Sequence, residues 1–172
     1  KIRTKILCMA LIPLLVLGVA TAILGNIRIN DVMTDNIENG LRAAAISVRD
    51  TLKYADSGEY QIDESGNLFK GSFNVTENTD IADNLQEKSN MDITVFFGDT
   101  RYMTSICDEN GNRQIGTTAS ETVAETVLNN GEEFFSTDVN VVGQKYFGYY
   151  IPFYQDDSNE IVGMIFSGMP QK

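Results

Sequence analysis

Ile6 to Leu24 is a run of nineteen residues without a charge. At about 1.5 Å per residue such a helix spans roughly 28 Å, close to the hydrocarbon thickness of a bilayer. Pro13 and Gly18 fall inside the run, and both residues are commoner in membrane helices than in soluble ones. Lys1, Arg3 and Lys5 precede it, and no acidic residue occurs before Asp31. The positive-inside rule therefore puts the N-terminal end in the cytoplasm. Residues 1–5 read as a cytoplasmic basic flank, 6–25 as a transmembrane helix, and the chain beyond about Asn26 as extracytoplasmic. A cleaved signal peptide and a buried core helix are the competing readings. Ala20-Thr21-Ala22 has the look of a small-residue cleavage site, yet Ile23 and Leu24 prolong the run past it. A signal-peptide centre is usually shorter, and the length of the run argues against a core helix. The chain starts without Met and stops at Pro170-Gln171-Lys172. The expectation is an excised piece in which residues 170–172 approach a second membrane helix.

The charge balance removes whole classes of function. The net charge is −11, and taking away the three flank cations leaves −14 for the rest. Such a surface repels nucleic acid and anionic lipid, so no nucleic-acid partner is expected. There is no His, which removes the commonest general base and the usual zinc ligand. The only two cysteines, Cys8 and Cys107, lie about a hundred residues apart, so no disulfide framework is expected. Nothing in the sequence calls for a metal, a cofactor or a catalytic residue.

Beyond the apolar run the periodicity becomes helical and amphipathic. Ile29, Met33, Ile37, Leu41, Ala44, Val48, Leu52 and Ala55 recur at spacings of three and four, with charged residues on the remaining faces. This predicts one long helix over residues 26–58, continuous with the membrane helix and ending near Asp56-Ser57-Gly58. Its narrow stripe can pack on a sheet, on a second copy, or on both. Residues 59–169 read mainly as strands. Asp63–Asn67, Asp108–Asn112 and Asp156–Asn159 are turn clusters, since Asn and Gly accept positive φ. The middle one mixes Asp, Asn and Gly but lacks the spaced ligands and terminal Glu of a calcium loop. Thr79 or Asp80 caps a short helix through Lys88, and Ser120 caps another over Glu121–Leu128, stopped by Asn129-Asn130-Gly131. The strand candidates are Ile93–Phe97, Arg101–Asp108, Phe134–Val141, Lys145–Tyr154 and Ile161–Gly168. Short connections between the last three favour an antiparallel meander, and the whole is an α+β domain.

Several pieces resemble a known family. Gly98-Asp99-Thr100-Arg101-Tyr102-Met103-Thr104-Ser105 leads into Asp108–Arg113 and Ile115-Gly116-Thr117. Later come Gly143–Pro152, with the run Lys145-Tyr146-Phe147-Gly148-Tyr149-Tyr150 inside it, and Ile161–Gly168. In this order and spacing they resemble the single Cache sensor domains of methyl-accepting chemotaxis proteins and related sensor kinases. The resemblance runs from about Asn26 to Met169, is strongest from Met91 onward and is poor over Glu59–Ser89. It implies a PAS-like fold: a curved antiparallel sheet, a long N-terminal helix on one face and a small-molecule pocket on the other. It also implies a homodimer formed along the long helix, and a ligand that is a small organic acid or an amino acid.

Two readings compete at each candidate ligand residue. Arg101 offers a fork-shaped clamp for a carboxylate, or pairs with Asp99 at the surface. Side-chain alternation places Met103 and Ser105 on the face of Arg101. Lys145, Phe147 and Tyr149 share one face of their strand, while Tyr146 and Tyr150 share the other. Apolar walls with a few hydroxyls and one or two charges make a small-ligand pocket, but aromatic residues favour strands in any case. The candidate ligand-binding residues are Arg101, Ser105, Lys145, Phe147 and Tyr149, and the sequence leaves open which face holds the pocket. Asn74-Val75-Thr76 matches a glycosylation acceptor by chance.

The reading these observations favour is a non-enzymatic sensing module of a bacterial transmembrane receptor, most simply a chemoreceptor. The same ectodomain serves a sensor histidine kinase or a cyclic-dinucleotide enzyme equally well. A pilin-like subunit also joins an apolar helix to an antiparallel sheet, but the basic flank and the lack of early acidic residues disfavour it. An extracytoplasmic hydrolase needs a nucleophile with its base, and neither His nor a G-x-S-x-G motif is present.

Overall fold

The computed structural model describes residues 2–171, with side chains described from residue 11 onward except at 12 and 26. Lys1, Lys172 and the side chains of Arg3, Lys5 and Cys8 lie outside the described residues. The chain divides into two compact units, residues 1–37 and 38–172.

The first element is a single helix, α1 (Ile2–Lys53), with Pro13 inside it. In the first unit the described apolar side chains are exposed: Leu14, Leu15, Leu17 and Leu24 are each more than 60% exposed. A core helix would bury such side chains, and a lipid environment suits them. Among the described residues this is the one helix long and apolar enough to cross a membrane.

In the second unit the helix turns a narrow stripe inward. Leu41, Ala44, Ala45, Val48 and Leu52 are buried, spaced to share one face. It covers a five-stranded sheet built from β4 (Asp92–Phe97), β5 (Thr100–Thr104), β6 (Phe134–Val141), β7 (Gln144–Tyr154) and β8 (Ile161–Pro170). The order is β5-β4-β8-β7-β6 and every pairing is antiparallel. β6, β7 and β8 form the expected meander, and β4 adds to the free edge of β8. This is the α+β architecture of a PAS-like domain.

Three features depart from the sequence reading. β5 stops at Thr104 rather than running on to Asp108, because the chain turns there and leaves only a Cys107–Arg113 bridge. Residues 59–76 form a small antiparallel sheet of their own, β1 (Tyr60–Ile62), β2 (Leu68–Lys70) and β3 (Phe73–Asn74). Strands of two or three residues are too short to show a period of two. The segment capped by Ser120, whose hydroxyl accepts from the Val123 amide, stays α-helical only over α3 (Glu121–Ala124) before relaxing into a π-helical turn at Glu125–Asn129. The other short helix, α2 (Asp80–Ser89), ends on Asn90 in the left-handed conformation.

The two faces of the sheet are fixed by one bond. The Ser167 hydroxyl donates to the Leu41 carbonyl of α1 at 2.7 Å. Ser167 pairs with Ile93 on one side and Tyr149 on the other, so these three point at the helix. By alternation Phe166, Tyr150 and Thr94 point to the opposite face. There Phe166 and Tyr150 join a second buried cluster with Phe96, Met164 and Tyr146, closed over by Val123, Val127 and Ile106.

Candidate functional site

The face turned away from α1 holds a cavity of about 340 Å³, at the lower end of small-molecule sites. Its floor is aromatic: Phe96 from β4, Phe166 from β8 and Tyr150 from β7. Val123 of α3 closes one side, and β6 forms a wall from Phe134 to Val141. Arg101 enters from β5, the opposite edge of the sheet.

The environment of Arg101 is incomplete. Its guanidinium carbon sits 5.3 Å from the centre of the Phe96 ring, a cation–π contact. Its one hydrogen bond, to the Gln114 carbonyl, is long at 3.4 Å. Its Nε is the only buried side-chain polar atom without a partner among the described residues. No carboxylate pairs with it there, Asp99 included, since the Asp99 side chain accepts from Thr100. Burial pushes the Arg101 pKa down from its ordinary value, but an arginine remains charged. Buried polar groups are almost always hydrogen-bonded. Arg101 is thus a half-buried cation at the cavity with a donor to spare.

Of the residues singled out in the sequence, only Arg101 lines this cavity. Ser105 lies beyond the end of β5, where its hydroxyl donates to Asp92 and accepts from the Ile93 amide. Alternation misplaced its face for a local reason: a bulge shifts the β4–β5 register between Val95 and Phe96. Arg101 pairs with Phe96 but Met103 pairs with Val95, so Met103 leaves the face of Arg101. Lys145 is exposed and reaches Asp138 at 2.7 Å. Phe147 and Tyr149 lie on the helix side of β7, away from the cavity. The aromatic residue that β7 contributes is the next one, Tyr150, whose pKa is pushed up to about 12 by burial. It therefore stays a neutral hydroxyl. Phe96, Phe134, Tyr150 and Phe166 were missed. Only the long-range docking of α1 tells which face remains open.

Tyr149 has a different task. Its hydroxyl donates to Glu133 at 2.5 Å, and Glu133 accepts two bonds from Arg42 of α1, at 2.6 and 2.9 Å. The Arg42 hydrogen bond holds the Glu133 pKa below its usual value. Glu133 immediately precedes β6. Further along, β6 bulges between Ser136 and Val139, and there the Gln171 side chain donates to the Thr137 carbonyl. The Gln171 amide also donates to the Lys145 carbonyl at 2.9 Å. One cavity wall is thus tied to the helix at the start of the domain and to the segment after β8 at its end.

Comparison with known proteins bears on the fold and the family. A family model described as single Cache domain 3 matches residues 73–172. The sensor domain of DcuS from E. coli has a similar fold, with a TM-score of 0.51, covering 80% of this chain and 91% of that one at 13% sequence identity. No curated protein matches the chain.

Proposed function

Because the chain belongs to the single Cache domain 3 family, the sensing module of a transmembrane receptor, we propose that it binds a small carboxylate metabolite outside the cytoplasm and serves a chemoreceptor. The observation that carries the ligand class is the guanidinium of Arg101, aimed into an aromatic cavity with its Nε unpartnered. The basic flank before the membrane run supports an outside location for residues after about 26. The absence of His from the sequence and the aromatic lining support a binding role over a catalytic one. Membership of a sensor family leaves the pilin-like alternative without support. The chemotactic output is inferred from the sequence resemblance to methyl-accepting receptors.

Binding would place the ligand carboxylate against the Arg101 guanidinium where it lines the cavity. A charge-assisted contact of this kind contributes about 1.5–3 kcal/mol. The test is a thermal-shift screen of organic acids and amino acids on the full chain in detergent micelles, followed by titration of Arg101→Ala. We expect a stabilising carboxylate whose affinity falls by about tenfold to hundredfold in that variant. A ligand that binds the variant equally well would remove Arg101 from the site. A screen without any hit would remove the carboxylate-sensing reading.

A further inference from the structure

The charges around the cavity are few enough to count. Among the described residues that line it, Arg101, Asp138 and Tyr150 are the ionisable ones, and Tyr150 is neutral. Asp138 is occupied by Lys145, and both side chains are about 70% exposed at the outer edge of the sheet. Lys145 follows the alternation of Phe147 and Tyr149, on the face away from Tyr146 and Tyr150. It does not line the cavity, so no second cation stands ready inside. The remaining lining is uncharged: apolar side chains from Phe96, Val123, Phe134, Val139, Val141 and Phe166, hydroxyls from Thr118, Ser120, Thr122 and Ser136, and the amide residue Asn140 on the β6 wall.

We propose that the ligand is a monocarboxylate on an apolar body, aliphatic or aromatic, with no second carboxylate and no amino group. This rests on the sensing reading above and narrows it. One carboxylate completes Arg101. A second would be taken out of water against phenylalanine and valine without a counter-charge, and an ammonium group would need an anion that Lys145 already holds. Each unpaired buried ion weakens binding on the order of a hundredfold or more.

Matched pairs of probes test this, since each pair differs by one charged group: butyrate against succinate, and isocaproate against leucine. They are titrated calorimetrically into the full chain in detergent micelles. We expect each monocarboxylate to bind at least about a hundredfold more tightly than its charged counterpart. Adding a cation to the wall, by Ser136→Lys or by Thr118→Lys should the edge strand not tolerate the first, is expected to raise succinate affinity about tenfold relative to butyrate. Succinate or leucine binding as tightly as its partner in the unaltered chain overturns the proposal, even though the carboxylate-sensing reading survives. Binding by none of the four overturns both.

Discussion

Arg101 and Lys70 are both withdrawn from water, with opposite provision made for them. The Lys70 side chain is fully buried, and its ammonium group donates to Asp156 at 2.5 Å and to the Gly58 carbonyl at 2.8 Å. The Tyr60 ring covers it at 4.7 Å. These contacts pin β2 to the turn between β7 and β8, and they make Lys70 a structural cation. Arg101 has a ring and a long bond to one carbonyl, and it keeps an idle donor. The contact with the Phe96 ring aside, a buried donor left idle costs stability. Asp156→Ala, which strands a buried ammonium, is expected to cost about 3–5 kcal/mol in urea denaturation. A loss below about 1 kcal/mol would mean that the pair is solvated like a surface salt bridge.

At the scale of elements, the sequence announces the long strands of the meander well, the short strands poorly and the faces badly. β6 falls on Phe134–Val141 as alternation and turn residues predict, and β7 and β8 differ from expectation only at their ends. Local chemistry sets those boundaries. Which side of β7 meets the helix depends on a bond between residues 126 apart in the chain, Ser167 to Leu41, and no local pattern encodes it. The bulge in β5, where Tyr102 is the extra residue, is equally silent, because it shifts register without any turn residue. Two glycines were legible as letters but not as devices. Gly148 and Gly168 pair across β7 and β8, and the Phe166 ring lies over both. A Cβ at Gly168 would stand 2.3 Å from the Phe166 ring, and one at Gly148 would stand 2.8 Å from it. Gly168→Ala is expected to drive that ring toward the cavity, costing roughly 1–3 kcal/mol of stability as overpacked cores do. Thermal melts and carboxylate titration of the variant check both effects together, and an unchanged melting temperature would show that the floor of the site is compliant.

For the whole molecule, the exposed apolar face of α1 is the feature that a partner would cover. Ile29, Val32 and Met33 are each more than half exposed on α1, and they lie beyond the stretch of helix whose stripe the sheet buries. A second copy of the chain, aligned along the same helix in the membrane, is the partner we propose for them. Cysteines placed singly at Met33 and Ile37 should then crosslink between copies in membranes. Efficient capture at exposed Asp35, with none at the other two positions, would move the interface to another face. Association is expected to weaken once the membrane run is removed, because local concentration falls. The ties of β6 give such a pair something to transmit. Glu133 fastens the beginning of that strand to Arg42, and Thr137 fastens its bulge to Gln171. Both ends of the domain are thereby harnessed to one cavity wall, as by a yoke. On the sensing reading proposed above, a ligand that displaces this strand is expected to tug both ends in a single stroke, and cutting one tether is expected to leave binding intact while only one end responds.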